Sequence, residues 1–173
     1  MSNIISFYEN KKVKNCRHIL LDTLLNGNKW FEYTHDYIQW LFPLDEKSSC
    51  NKDAPVLSSS DIVYFKMDNM VAANFECSMI RFIHFLGLGL ENGFSNLNNP
   101  TFKIVNKKQL YTWKEMNHNS LRITRFLASS TIFGHFHFAN NLFVFLRKNL
   151  NNKHPSMHYW EDALNGINRN LKR

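Results

Sequence analysis

The chain has 173 residues, enough for one domain with a sizeable core, and carries a formal net charge of +7. Its 15 Phe, 6 Tyr and 4 Trp predict an aromatic core, and only 6 Gly and 4 Pro disfavour a β-sandwich. No apolar run is long enough to span a bilayer, the N-terminus shows no secretion signal, and the three cysteines lack metal-ligand spacing. We therefore expect a cytoplasmic protein with reduced thiols, no metal and no cofactor.

Periodic apolar residues predict about seven helices in a single all-α domain over residues 1–173. After a short lead anchored by Phe7 and Tyr8, the first helix covers residues 17–25. The second begins at Asn28 and is stopped by Pro43.

An irregular connection over residues 45–57 precedes the later helices, since it is rich in Ser, Asn, Asp and Pro. Ser58 with Asp61, and then Asp68, are good N-caps for the next two helices. Residues 92–116 are the least regular part, with either a short strand or a surface loop over Thr101–Val105. The later helices are predicted over residues 58–67, 69–86, 118–130, 136–150 and about 156–171.

The helix that begins at Asn28 is apolar nearly all round, which is typical of a buried helix. One narrow polar stripe interrupts it, and Trp40 and Tyr37 lie beside this stripe. Burying a polar group without a hydrogen-bond partner costs free energy, so the stripe must face a partner, a ligand or a water-filled cleft. We call it the first stripe; its residues are Glu32, His35, Asp36 and Gln39.

A second polar line follows the helix that opens near Asn117 or His118. Its members are spaced by four, three and four residues, so they share one face of the helix. Apolar residues border the line, with Leu121, Ala128 and Ile132 on one side, and this predicts recessed arginines. We call it the second stripe; its residues are His118, Arg122, Arg125 and Ser129.

The simplest hypothesis is that the two stripes face each other. They then either close a buried ion-pair network or line a cleft in which the arginines and His118 hold a phosphate or carboxylate. We expect a binding module that recognises an anionic small ligand or a peptide. The candidate ligand-binding residues are His35, Asp36, Gln39, Trp40, His118, Asn119, Arg122 and Arg125.

Two other functions stay open. His35 and Asp36 are acid-base candidates for an enzyme acting on a phosphate or acyl substrate, but no nucleophile motif or phosphate-binding glycine loop accompanies them. We therefore assign no catalytic residue. Basic residues collect near residues 11–17, 103–108 and 147–173, a distribution that allows a nucleic-acid binder but is more typical of a solvated surface.

Three segments resemble the conserved region of the opioid growth factor receptor: HDYIQWLFPL at 35–44, NKDAPVLSSSDIVYF at 51–65 and HNSLRITRFL at 118–127. The resemblance covers about residues 5–150, and the helix at about 156–171 is expected to dock on that part. It implies an α-helical domain. For the animal members it implies a receptor for Met-enkephalin that restrains cell growth and associates with the nuclear envelope. This chain looks more like the short, domain-only members found in bacteria, and peripheral membrane association is implied by the resemblance alone.

Overall fold

The computed structural model describes residues 2–10, 21–26, 31, 37–48, 51–150 and 154–166, without the side chains of residues 94 and 95. In this part of the chain nine α-helices accompany one two-stranded sheet, which confirms the prediction of an all-α fold. The residues fall into two compact units, Met1–Arg81 and Phe82–Arg173. No helix within the described ranges has the length and apolarity to cross a bilayer.

The first unit contains short helices followed by two capped ones. Ser58 Oγ accepts from Asp61 N at 3.2 Å, and Asp61 Oδ2 accepts from Ser58 N at 2.9 Å, which is the predicted capping box. Asp68 Oδ1 accepts from Val71 N at 2.9 Å, as predicted, and so caps the following helix. The helices are α1 (Asn3–Tyr8), α2 (Leu21–Asn26), α3 (Tyr37–Leu41), α4 (Ser59–Met67) and α5 (Asn69–Phe85), the last continuing into the second unit.

Aromatic side chains from α1 lie in the core of the first unit. Phe7 and Tyr8 are fully buried, so the predicted anchor is confirmed, and the lead itself is helical. The Tyr8 ring lies 4.9 Å from that of Phe65 and 6.1 Å from that of Phe75, between centroids. Its hydroxyl donates to the Leu41 carbonyl, which ties α1 to the end of α3.

The connection between α3 and α4 is irregular, as predicted. A single parallel bridge joins Leu44 to Val56, and Leu57 N donates to Leu44 O at 2.9 Å. The helix predicted from Asn28 is described only at its end, in α3, because residues 27–30 and 32–36 lie outside the described part of the chain.

The second unit opens with an antiparallel strand pair, β1 (Leu88–Leu90) with β2 (Phe102–Ile104). The strand alternative for the stretch after Thr101 is therefore confirmed. Its partner β1 was not predicted, because Gly87 and Gly89 indicated only the end of a helix. Gly87 has a φ of +76°, and its carbonyl accepts from both Val105 N and Asn106 N, at 2.9 and 3.0 Å.

Four further α-helices and two 3₁₀ turns complete the second unit. The 3₁₀ turns cover Gly93–Asn96 and Lys107–Gln109. Gly166 ends the last helix in a left-handed conformation with a φ of +69°, so the prediction that this helix runs to about residue 171 is wrong. The predicted stripe residues Ile167 and Leu171 lie outside the described residues. The helices are α6 (Tyr111–Lys114), α7 (Asn119–Ile132), α8 (Phe136–Asn149) and α9 (Met157–Asn165).

Aromatic side chains also organise the core of the second unit. The rings of Phe82 and Phe126 stack with centroids 5.0 Å apart, and Trp113 Nε1 donates to the Leu86 carbonyl at 2.9 Å. The last helix packs on α7, where the fully buried Trp160 donates its Nε1–H to the Ser120 carbonyl at 3.0 Å.

Candidate functional site

The first turn of α7 is built by an asparagine that stands just before it. Asn117 Oδ1 accepts from Asn119 N at 2.8 Å, and Asn117 Nδ2 donates to the Tyr111 carbonyl at 2.8 Å. His118 occupies the N-cap position with an exposed side chain that does not cap the helix. The helix start is thus held by Asn117, and His118 is left at the surface.

Two of the predicted site residues meet inside the second unit. Arg122 is 4% exposed, and its Nη1 donates to Asn119 Oδ1 at 2.7 Å. Asn119 is fully buried, and its Nδ2 has no hydrogen-bond partner among the described residues. Because Asn119 Oδ1 accepts from the guanidinium, the amide is held in one orientation, and Asn119 Nδ2 is a fixed donor beside the buried Arg122.

The remaining members of the second stripe lie at different depths. Arg125 is half-buried and Ser129 is fully buried, so the prediction of recessed arginines is confirmed. Leu121, predicted to border the stripe as an apolar flank, is instead 69% exposed. The helix places Asn119 and Arg122 inward, and Leu121, which lies on another side, then points towards solvent.

Sequence reasoning did not single out Ser120. Its side chain is 4% exposed, its carbonyl accepts from Trp160, and its Oγ has no hydrogen-bond partner within the described ranges. No periodic signal distinguishes this residue, because a serine at the start of a helix is ordinarily exposed.

The first stripe is described only in part. Glu32, His35 and Asp36 lie outside the described residues. Gln39 and Trp40, in α3, are 8% and 6% exposed, and the atoms Gln39 Oε1 and Trp40 Nε1 have no hydrogen-bond partner in the part of the chain that is described. The first unit therefore holds one buried acceptor and one buried donor on adjacent residues.

The two stripes belong to different compact units, and the hypothesis that they face each other stays a prediction. Within the described residues, no three His, Cys, Asp or Glu side chains cluster as metal ligands would.

The chain matches the conserved region of the opioid growth factor receptor over residues 1–167, further than the 5–150 expected, since the match includes α9. It is 31% identical over 153 residues to opioid growth factor receptor-like protein 1 of Rattus norvegicus, covering 84% of this chain and 31% of that protein. The Xenopus tropicalis protein of the same name is 33% identical over 132 residues, covering 72% of this chain and 24% of the relative.

The opioid growth factor receptor of Homo sapiens is 32% identical over 107 residues, which cover 62% of this chain and 15% of that receptor. The chain thus spans less than a third of the length of these relatives, and no solved structure matches it. The match over nearly the whole chain assigns the family, and this chain belongs to the opioid growth factor receptor conserved-region family.

Proposed function

We propose that this chain is a binding module that recognises an anionic group at the first turn of α7, either on a small ligand or as the terminal carboxylate of a peptide. The buried Asn119 Nδ2, with no hydrogen-bond partner among the described residues, is the observation that carries the proposal. An unsatisfied buried donor costs about 1–3 kcal/mol, so a folded protein keeps one chiefly where another group meets it.

The electrostatics of this turn favour an anion over a neutral ligand. The guanidinium of Arg122, which donates to Asn119 Oδ1, is a charged group beside this donor. The N-terminal end of α7, a helix of 14 residues, adds the positive end of its dipole. Ser120 Oγ supplies a further hydroxyl that can donate.

Family membership supports a peptide as the carrier of the anionic group, since the named relatives are called opioid growth factor receptor or opioid growth factor receptor-like protein. The backbone of a peptide ends in a carboxylate, which the positive end of the α7 dipole complements.

The test is a thermal-shift screen of the wild type and Asn119→Asp. The ligands are nucleotides, sugar phosphates, dicarboxylates and short peptides, including Met-enkephalin, the peptide implied for the animal members. Asn119→Asp keeps the Oδ1 atom that accepts from Arg122, so we expect the variant to stay folded. The change replaces the donor Nδ2 by a carboxylate oxygen, which repels anions. Asn98→Asp, at an exposed position, makes the same change in net charge and serves as the control.

We expect at least one anion to raise the melting temperature of the wild type and of Asn98→Asp but not of Asn119→Asp. A ligand at about 100 times its Kd contributes about 2.7 kcal/mol, which such a scan resolves. Equal shifts in Asn119→Asp, or no shift with any of these ligands, would refute the proposal.

A further inference from the structure

The last helix of the second unit, α9, rests on the turn of α7 that carries the proposed anion site. The fully buried Trp160 donates from Nε1 to the Ser120 carbonyl at 3.0 Å. Ser120 and Asn119 are themselves buried, and Ser120 Oγ and Asn119 Nδ2 have no hydrogen-bond partner among the described residues. A ligand in solvent therefore reaches these two groups after a covering element moves, and α9 is an element that contacts Ser120 directly.

The contacts that hold the beginning of α9 meet at one histidine. The ring of His154 stacks on that of Trp160, with centroids 5.3 Å apart and planes inclined by 25°. His154 Nδ1 accepts from Ser156 N at 3.3 Å, and Ser156 is the N-cap residue of α9. Ser156 Oγ in turn donates to Met116 Sδ at 3.6 Å, just before α7. We call His154, Ser156 and Trp160 the latch.

The latch requires the neutral form of His154. A neutral imidazole has one N–H and one acceptor nitrogen, and because Nδ1 accepts from Ser156 N, the proton is on Nε2, which is buried. Protonation places a second N–H on Nδ1, where it meets the Ser156 N–H, and two donors cannot form a hydrogen bond. Burial also lowers the pKa of His154, so the folded latch favours the neutral ring.

The charge that His154 gains on protonation has no counter-ion in the part of the chain that the structure describes. Glu115 meets the ring through its backbone carbonyl, which only partly offsets the effect of burial. No other ionisable side chain of the neighbouring elements contacts the ring within the described ranges. These residues are Lys114 and Glu115 at the end of α6, His118, Arg122 and Arg125 of α7, His135, His137, Arg147 and Lys148 of α8, and His158, Glu161 and Asp162 of α9.

We propose that α9 is a lid over the first turn of α7, and that protonation of His154 opens it. The proposal rests on the proposed function, because a lid regulates this turn only if the turn binds a ligand. Opening breaks the latch and the bond from Trp160 to Ser120, whereas α7 and α8 also pack on each other and keep that contact. The rest of the second unit therefore stays folded when α9 moves.

The experiment measures hydrogen–deuterium exchange of the full chain by mass spectrometry, without ligand, at about pH 5 and about pH 7, on either side of the ordinary pKa of histidine. Exchange rates are corrected for the intrinsic effect of pH. Peptides from α9 report the lid, peptides from the start of α7 report the turn beneath it, and peptides from α5 report global unfolding.

Two variants show whether His154 is the group that titrates. In His154→Asn the side-chain oxygen can accept from Ser156 N, two residues on, as Nδ1 does, but this side chain does not titrate. The control is His158→Asn, which removes an exposed histidine of α9 that lies outside the latch.

In the wild type and in His158→Asn, we expect exchange in α9 and in the first turn of α7 to be at least ~3-fold faster at the lower pH. The upper limit is about 25-fold, which corresponds to a histidine that titrates normally when the lid is open and stays neutral when it is closed. Exchange in α5 should not change, because the opening is local. In His154→Asn the ratio of the two rates should fall to about 1, since the lost stacking with Trp160 acts equally at both pH values.

Three results would overturn the inference. The first is an equal rate of α9 exchange at the two pH values in the wild type. The second is an acid-dependent increase that persists in His154→Asn, which would mean that another group titrates. The third is an increase that α5 shares, which would mean global unfolding in acid. Because no ligand is present, such a failure removes the lid and leaves the anion site to the thermal-shift screen. Acid-dependent opening in a chain that no anion stabilises would support the opening and refute the proposed function.

Discussion

Replacing Trp113, Trp160 and Trp40 with Phe, one at a time, measures how much an indole hydrogen bond contributes to the free energy of unfolding. All three side chains are buried, with exposures of 0%, 0% and 6%. Each change replaces the bicyclic indole by a smaller phenyl ring, at about 1–1.5 kcal/mol in lost burial and cavity formation. The hydrogen bonds differ, however, because Trp113 donates to Leu86 O and Trp160 to Ser120 O, whereas Trp40 Nε1 has no partner among the described residues.

The expected order of destabilisation follows from what each change leaves behind. Trp113→Phe leaves the Leu86 carbonyl, just past the end of α5, without its donor, which adds about 1–3 kcal/mol to the loss of stability. Trp160→Phe costs less, because the Ser120 carbonyl also accepts from Thr124 Oγ1 at 3.0 Å and so keeps a partner. Trp40→Phe costs least, since it also removes a buried donor that lacked a partner.

The assay is urea unfolding followed by far-ultraviolet circular dichroism, with the free energies of unfolding obtained by linear extrapolation. Circular dichroism is required because the substitutions alter the tryptophan fluorescence itself. Equal losses of unfolding free energy at the three positions, or the largest loss at Trp40, would refute the assignment of these hydrogen bonds and of the carbonyl left without a donor.

Two further changes test single features of the second unit. Burial lowers the pKa of His154 in the folded protein, and the hydrogen bond to the Glu115 carbonyl partly offsets this effect. The folded state therefore favours the neutral imidazole, which stabilises it above about pH 6.5, the ordinary pKa of histidine. This stabilisation is lost as the pH falls through the lowered pKa of the folded state. His154→Gln should therefore lose less stability on acidification than the wild type in melts over a pH series, and identical profiles would contradict this. Gly87→Ala should cost at least about 2 kcal/mol, because φ is +76° and the new Cβ would clash with the Asn106 carbonyl oxygen. Gly93→Ala, with a φ of +64° and nothing within 4 Å, should cost about 1 kcal/mol in the same melts, and equal costs would exclude the clash.

The amino-acid sequence by itself determined where α4 and α5 begin, because a cap is a local interaction. Ser58, Asp61 and Asp68 accept from backbone N–H groups at most three residues away, and each does so as predicted. The all-α class and the family also follow from the sequence, since both rest on patterns along the chain.

Only the tertiary structure decided that Leu121 of α7 faces solvent. The sequence predicted recessed arginines, as the 4% exposure of Arg122 confirms, but it also placed Leu121 among the apolar residues that border them. Helical spacing shows which residues share a face, but the packing partners select the face that points inward. The same holds for the strand pair, because Gly87 and Gly89 indicate only a helix end along the chain. In the fold β2 returns beside them, where Val105 N donates to the Gly87 carbonyl and Lys103 pairs with Gly89. Long-range contacts of this kind depend on the whole fold, and no local pattern encodes them.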